Sequence, residues 1–416
     1  MNKEIKQKIE QINRGEVPEG YKRTAVGIVP QEWEYKKLKN IGKFTKGKGL
    51  PGSEMKTTGV PCIGYGDIYT KYNYKFDKAQ NFVSQEVANN SLKCPKNRLF
   101  FTCSGETAIE IGKCVCYTGD EDIYVGGDIA VLSANTKVVP LFVGYQQNIP
   151  SLIKQKARFG QGHSVVHIYA DSLEKLGVAY PKNTNEQQRI TDILSKWDEA
   201  IKLQEKLIEK LELQKKALMQ RLLTPKKDWM SISLKKILRE RKTYSAKDKG
   251  YTHVTLSKEG VCDKTDQYER DFLVTSENKG YKITKLNDLC YNPANLKFGV
   301  ICLNKYGNAI FSPIYVTFEI SEKYNCDFIG AILTSENFIN KIRRFEEGSL
   351  YERQAVKPKD FIKGTILVPD RTIQDNIAKV ILNFNNQIDL QKKKLNKLKQ
   401  QQKAMQQLLL TGIVRV

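Results

Sequence analysis

The chain has 416 residues, of which 40% are hydrophobic and 27% are charged, and its formal net charge is +22. This length exceeds what one small core requires and suits two domains with connecting elements. A surface this basic suits a polyanionic partner, although a generally lysine-rich proteome would also produce it.

Several classes of protein are disfavoured by what the sequence lacks. No run approaches the roughly 18 apolar residues of a membrane span, and the N-terminus has no signal-peptide core, so we expect a cytoplasmic protein. The nine cysteines form no CxxC pair, and three histidines are too few for a zinc-finger pattern. We therefore expect reduced, structural thiols and no metal site.

Composition and periodicity divide the chain into five segments of alternating character. The strand-like runs of the two large blocks are short and separated by Gly, Asn and Asp, and each block has one helical stretch near its end, at 141–158 and 327–345. In chain order, the predicted segments are an N-terminal extension (1–29), a first globular block (30–181), a long helix (184–224), a second globular block (229–369) and a second long helix (372–411).

The two long helices are copies of one another. Shifting the sequence by 187 positions aligns residues 187–224 with 374–411, with 15 identities in 38 positions. About two or three identities would be expected by chance, so an internal repeat is the simplest explanation. Thr184 with Gln187 fits a capping box at the first helix start, and Asp370 is a candidate cap for the second.

Both copies carry an apolar stripe in steps of four and three, which predicts two long helices of the coiled-coil type. The stripe residues are Ile190, Leu194, Trp197, Ile201, Gln204, Ile208 and Leu211 in the first copy, and Ile377, Ile381, Phe384, Ile388, Gln391, Leu395 and Leu398 in the second. If the two copies form an antiparallel pair related by the repeat, their midpoints meet, and we then predict that Gln204 and Gln391 approach each other and help set the register. The alternative is that both are polar gaps in an imperfect seam.

One basic, glycine-rich segment in the first block resembles a phosphate-binding loop only superficially. Residues 42–49, GKFTKGKG, fit GxxxxGK, but Gly49 stands where a magnesium-binding Ser or Thr is needed, and no helix follows. A flexible loop beside a DNA backbone fits better, with Lys46 and Lys48 supplying charge.

Other candidate DNA contacts combine aromatic rings, amides and cations in polar segments. In the first block these are Tyr65, Asp67, Tyr69, Lys71, Tyr72, Tyr74, Gln161, His163 and Ser164. In the second they are Arg241, Lys242, Tyr244, Thr255, Ser257, Lys258, Tyr351 and Arg353. Alternate aromatics can instead be buried on a sheet face. His163 could be taken for a catalytic base, but no nucleophile or carboxylate singles it out.

The sequence contains no convincing reaction centre, so no catalytic residues are predicted. It lacks a methyl-transfer motif, since Asn292-Pro293-Ala294 has neither a second proline nor an aromatic residue, and it has no glycine-rich cofactor turn.

The chain resembles the DNA-specificity subunits of type I restriction–modification systems over nearly its whole length. The resemblance rests on GEVPEGYKRTAVGIVPQEW near the start, on YPKNTNEQQRITDIL and VPDRTIQDNIAKVIL at the helix starts, and on KALMQRLLT and KAMQQLLLTG at the helix ends. At the second helix start Ile373 replaces the expected glutamate.

The resemblance implies an α/β fold with two target-recognition domains in pseudo-two-fold arrangement, separated by two long antiparallel helices. Each domain would read half of a split, asymmetric target in double-stranded DNA. The helices would dock two adenine-methylating modification subunits, through which restriction subunits join. It implies no cofactor on this chain, S-adenosylmethionine in the modification partner, and ATP and magnesium in the restriction partner.

Two other functions remain open at the level of sequence. A fused methyltransferase or nuclease with its own recognition domain would bind S-adenosylmethionine without a partner. A coiled-coil scaffold with incidental charge would bind DNA weakly and without sequence preference. The bases recognised are not encoded in any pattern identified in the sequence.

Overall fold

The computed structural model describes residues 3–162, 164–245, 250–264, 280–346 and 354–416. The chain forms two compact units, Met1–Glu205 with Lys394–Val416 and Lys206–Lys393. Each unit contains both helices and sheets, which confirms the α/β class.

The first unit is built on two mixed sheets. Its helices are α1 (Lys3–Asn13), α2 (Tyr65–Thr70), α3 (Gln85–Asn89), α4 (Pro140–Gln146), α5 (Pro150–Phe159), α6 (Ala170–Leu173) and the start of α7 (Thr184–Leu222). Its strands are β1 (Tyr21–Arg23), β2 (Ile28–Pro30), β3 (Glu34–Lys37), β4 (Gly42–Lys46), β5 (Val60–Ile63), β6 (Lys75–Phe76), β7 (Asn81–Val83), β8 (Leu92–Cys94), β9 (Arg98–Thr102), β10 (Ser104–Gly105), β11 (Cys114–Tyr117), β12 (Ile123–Val125), β13 (Ile129–Ala134), β14 (Val166–His167) and β15 (Gly177–Tyr180). The larger sheet has the order β4-β13-β9-β11-β6 and the smaller β7-β5-β12-β8.

The second unit has the same kinds of element. Its strands are β16 (Met230–Ser233), β17 (Leu238–Glu240), β18 (Tyr244–Ser245), β19 (Thr252–Leu256), β20 (Val261–Asp263), β21 (Tyr281–Thr284), β22 (Leu289–Tyr291), β23 (Ile301–Leu303), β24 (Ala309–Phe311), β25 (Val316–Ile320) and β26 (Thr365–Val368). Its helices are α8 (Leu234–Ile237), α9 (Cys326–Leu333), α10 (Glu336–Ile342), α11 (Pro358–Phe361) and the first part of α12 (Arg371–Leu410). Its two main sheets have the orders β17-β25-β22-β23 and β18-β21-β24-β19-β20.

The core of each unit contains an equivalent tryptophan–phenylalanine pair. Trp33 packs edge-on against Phe142 with ring centroids 6.0 Å apart, and Trp229 packs edge-on against Phe328 at 5.8 Å. All four rings are buried, and such pairs stabilise a core beyond the area that they bury. The internal repeat of the sequence therefore extends from the helices into the globular parts.

The long helices bury the predicted stripe. Every stripe residue is buried or partly buried, while most residues between them are exposed, which confirms the periodicity. In the first unit Lys399 forms an ion pair with Glu205 at 2.7 Å and Gln402 bonds to Asp198, so α7 and α12 run antiparallel there. The pairing of Gln204 with Gln391 stays a prediction.

The helix starts differ from the predicted capping. Asn183, not Thr184, caps α7, because its Oδ1 accepts a hydrogen bond from the Asn185 amide at 2.9 Å. Asp370 does cap α12, accepting from the Ile373 amide at 3.0 Å. Gln187 instead joins its helix to the globular part of the unit.

Two predicted helical stretches are each divided. The stretch at 141–158 is divided into α4 and α5, because Pro150 cannot donate the hydrogen bond that a continuous helix needs. The stretch at 327–345 is divided at Ser335, whose hydroxyl accepts from the Phe338 amide and caps α10.

Candidate nucleic-acid interface

A cleft of about 730 Å³ in the first unit is formed where three loops meet. Two of them, residues 46–52 and 64–67, contain the sequence candidates Lys46, Lys48, Tyr65 and Asp67, whereas residues 126–128 were missed. The topology of the two sheets brings these loops together. Strands β5 and β12 are parallel neighbours, so the loops that follow them leave the same edge, and the antiparallel pairing of β4 with β13 places the third loop beside them.

Glycine permits this close approach. A Cβ on Gly47 would lie 2.0 Å from the Gly126 carbonyl oxygen, so only glycine fits there. The neighbouring amides are already bonded within the fold: Gly47 donates to Ile129 O, and Gly127 to Gly49 O. Because those amides already donate hydrogen bonds within the fold, they do not form a phosphate-binding loop. Gly42–Lys46 is moreover a strand and not part of a flexible loop.

Three side chains of the cleft reach solvent as a DNA contact requires. Lys46 and Lys48 are exposed, and Tyr65 is 44% exposed. Two cations beside an amphipathic ring suit contact with phosphates and sugars. A lysine placed in this way contributes salt-sensitive affinity without sequence information.

Asp67 and Lys71 have a structural role in the same region. The Asp67 carboxylate is buried and accepts hydrogen bonds from the Gly64 amide at 3.0 Å and from Asn81 Nδ2 at 2.8 Å. Lys71 forms an ion pair with it at 3.0 Å. Residues Tyr65–Thr70 form helix α2, and the hydrogen bond from the Gly64 amide to Asp67 caps its N-terminus.

The next three tyrosines face inward. Tyr72 is buried and stacks on Phe76 at 4.2 Å, and burial raises its pKa to about 12. The Tyr69 hydroxyl donates to Ser104 O at 3.1 Å, and burial raises its pKa to about 12. Tyr74 donates to Gln406 at 3.0 Å. Tyr72 belongs to a hydrophobic core cluster, Tyr74 packs against another, and Tyr69 is partly buried, which agrees with the alternative that these aromatic residues are buried.

A second surface loop precedes the closing strand of this unit. Gln161 and Ser164 are exposed, and the Gln161 backbone pairs with His167. His163 lies outside the described residues.

In the second unit, Arg241 stabilises the fold rather than facing solvent. Its Nε and Nη2 donate to the two oxygens of Asp288 at 2.8 and 2.9 Å, and the Asp288 side chain is 3% exposed. The hydrogen bonds to Asp288 raise the Arg241 pKa above its usual value. Its neighbours Lys242 and Tyr244 are exposed, and Tyr244 lies on β18.

A tight hairpin between β19 and β20 presents the remaining candidates. Ser257 holds the turn, donating its amide to Gly260 O at 2.9 Å and accepting from the Glu259 amide at 3.2 Å. Lys258 is exposed at the tip. Thr255 lies within β19, 3.4 Å from the Tyr315 hydroxyl. Tyr351 and Arg353 lie outside the described residues.

Within the described residues, no group of three or more His, Cys, Asp or Glu side chains is arranged to hold a metal ion. Among the helices of the described ranges, none combines the length and apolar character needed to cross a bilayer.

The chain is similar to known proteins over nearly its whole length. Residues 30–213 match the family profile described as "Type I restriction modification DNA specificity domain". The chain is 25% identical over 436 aligned positions to the putative type I restriction enzyme MjaX specificity subunit of Methanocaldococcus jannaschii, covering 96% of this chain and 97% of that protein. It is 21% identical to the MjaVIII specificity subunit of the same organism, covering 93% and 94%.

The fold is also similar to a solved structure, the S subunit of a type I restriction–modification system from M. genitalium. That chain is 13% identical, with a TM-score of 0.56 and coverage of 91% of this chain and 96% of the other. Residues 30–213 are thus similar to a type I DNA specificity domain, and the chain over nearly its whole length is similar to specificity subunits of type I restriction enzymes.

Proposed function

We propose that this chain reads a bipartite, asymmetric DNA target, with each globular block reading one half. The observation that carries the proposal is the glycine-lined cleft of the first unit, where Lys46, Lys48 and Tyr65 are exposed together on a rigid sheet edge. The second block contributes the hairpin tip at Lys258 and the exposed Tyr244. Cations at such positions supply register and affinity, while ring and polar contacts in the grooves supply base preference.

The two blocks differ in the side chains that they expose, which suits an asymmetric target. A duplex presents its two backbones with two-fold symmetry, so a repeated frame with dissimilar reading surfaces matches two unlike half-targets. In this proposal the repeated elements supply the symmetric framework, and the loops supply the side chains that differ between the two blocks.

The paired long helices serve as spacer and docking element in this proposal. They dock two copies of a modification subunit that methylates adenine with S-adenosylmethionine, and restriction subunits with their ATP and magnesium join through those copies. At about 1.5 Å per residue, the 39 residues of α7 span roughly 58 Å. Half-targets one helical turn apart, about 34 Å, lie within that length.

The experiment combines the chain with its modification partner, exposes genomic DNA and maps the methylated adenines. A single motif with two defined halves and a fixed unspecified gap is the expected result. Methylation without a motif, or a motif in one continuous block, would contradict the proposal. The chain without its partner serves as the control and should neither methylate DNA nor bind S-adenosylmethionine, whereas a fused enzyme would do both.

A further inference from the structure

A polar network joins three helices of the first unit around a single carboxylate. Tyr145 on α4 donates its hydroxyl hydrogen bond to Oδ2 of Asp198 on α7. Gln402 on α12 donates from Nε2 to the other oxygen, Oδ1. Ser195 Oγ lies 3.4 Å from the Tyr145 hydroxyl. Asp198, which lies on α7, therefore joins α4 and α12 through its two carboxylate oxygens.

The network extends further along α12. Gln406 donates from Nε2 to the Tyr145 carbonyl at 3.2 Å and accepts from the Tyr74 hydroxyl at 3.0 Å. The rings of Tyr74 and Tyr145 lie 5.0 Å apart. Tyr145, Gln402 and Gln406 are all buried. A buried polar group that loses its partner is costly, so this network favours one orientation of the globular part on the helices.

The corresponding positions of the second half carry different chemistry. By the 187-residue repeat, Asp198 corresponds to Asn385, Gln402 to Lys215 and Gln406 to Met219. In the two equivalent Trp–Phe pairs, Phe142 of α4 corresponds to Phe328 of α9, which lies 186 positions later. The same offset makes Ala331 the counterpart of Tyr145. These counterparts include neither a phenol nor a carboxylate, and Met219 packs on the apolar core of the second unit.

We propose that Asp198 is a positioning residue that fixes the orientation of the first DNA-reading block on the paired helices and thereby selects the gap between the half-targets. This inference rests on the proposed function. Apolar packing has little directional preference, whereas a hydrogen-bonded network does. Adjacent base pairs are about 3.4 Å apart. A change in orientation that displaces the reading surface by a similar distance would therefore bring it to the neighbouring base pair.

The test maps methylated adenines for the complete complex of chain and modification partner with three variants. Asp198→Ala removes the centre of the network, and Tyr145→Phe removes one hydroxyl while preserving the ring. Asn385→Ala is the matched control at the equivalent position of the other helix. For each variant, methylation is compared at the wild-type gap and at gaps one base pair shorter or longer.

We expect Asp198→Ala and Tyr145→Phe to reduce the preference for the wild-type gap at least about fivefold, the equivalent of one buried hydrogen bond, with both half-motifs unchanged. Asn385→Ala should keep the wild-type gap. If both network variants keep a single gap, or if Asn385→Ala relaxes it equally, the inference is overturned. If Asp198→Ala fails to fold, Tyr145→Phe decides. Failure of the proposed function itself is distinguishable, because the wild-type complex would then show no bipartite motif.

Discussion

Burial separates the charged side chains that can meet DNA from those that stabilise the fold. Arg241 and Lys242 are adjacent in the sequence and were equal candidates, yet the Arg241 side chain is 13% exposed and that of Lys242 is 71% exposed. Arg241 balances the charge of the buried Asp288 carboxylate, which also accepts a hydrogen bond from the Lys285 amide at 2.7 Å. Of these two side chains, Lys242 is the one exposed enough to contact a phosphate, in exchange for its long ion pair with Glu240 at 3.5 Å.

Arg241→Ala should therefore lower the free energy of unfolding of the second unit by roughly 3 kcal/mol, because it leaves Asp288 buried and unpaired. Lys242→Ala, the matched control, should change it by less than about 0.5 kcal/mol. Denaturant unfolding followed by circular dichroism checks both values. Equal, small effects would mean that the Arg241–Asp288 pair does not hold the fold.

Lys156 predicts a pH dependence of stability in the first unit. Its side chain is 1% exposed, and its ammonium donates to Gly112 O at 2.6 Å and Gln147 O at 2.9 Å. Burial lowers its pKa to about 8 from an ordinary 10.5. The folded state thus binds the proton less tightly than the unfolded chain, so this group's contribution is fully present above pH 10.5 and is lost as pH falls through about 8.

As pH rises through that range, the free energy of unfolding of the wild-type protein should increase by about 3 kcal/mol because of this group. Lys156→Met should lack this increase. The comparison uses the difference in unfolding free energy between the two proteins, because cysteines and tyrosines titrate in the same range. Lys154→Met, at an exposed position of the same helix, should behave as wild type. A Lys156→Met protein with an unaltered pH profile would refute the assignment.

At the level of elements, the repeat of the sequence corresponds to a repeated attachment of helix to sheet domain. Gln187 Oε1 accepts from the Val139 amide at 2.7 Å, and its Nε2 donates to Pro181 O at 2.9 Å. Gln374 accepts from the Asn325 amide at 3.0 Å and donates to Pro369 O at 2.9 Å. The first identity in the aligned repeat is thus a glutamine that fixes each long helix to the domain before it.

Replacing either glutamine by alanine leaves a buried amide and a buried carbonyl without partners, and should cost about 1–3 kcal/mol of unfolding free energy. Gln188→Ala is the control, because Gln188 bonds only within its own helix, to Thr191 and Asp192. Thermal unfolding of Gln187→Ala, Gln374→Ala and Gln188→Ala gives the comparison. If all three melt together with wild type, the glutamines do not fasten the helices.

Sequence patterns were most informative for these helices and least informative for the loops. Apolar residues that recur every three or four positions lie on one face of a helix, so α7 and α12 could be predicted together with their buried residues. The capping box at Thr184 was wrong because Gln187 had a tertiary partner that no local pattern encodes. The loop at 126–128 was missed because its place in the cleft depends on the pairing of β5 with β12, which are distant in sequence.

The inward tyrosines show the same limit. Tyr65 and Tyr72 have similar sequence surroundings, yet one is exposed and the other stacks on Phe76, because helix α2 turns the segment between them. Without the helix, their different environments could not be distinguished.

For the whole molecule, the charge of +22 has a measurable consequence. Each lysine that contacts a phosphate releases counterions, so affinity should fall steeply with salt. Lys46→Ala and Lys48→Ala should each reduce the slope of log Kd against log salt concentration by about 1 in the complex with the modification partner. Lys96→Ala, whose ammonium is already paired with Asp120 at 3.1 Å, should leave the slope unchanged. An unaltered slope for the first two variants would remove the cleft from the DNA interface.

The most direct test of two independent reading blocks on one chain is to map methylation motifs for Tyr65→Ala and Tyr244→Ala, one exposed ring from each block. Each variant should relax the base preference in one half of the motif and leave the other half intact, and the two variants should affect opposite halves. Relaxation of the same half by both variants, or of both halves by either one, would contradict the account.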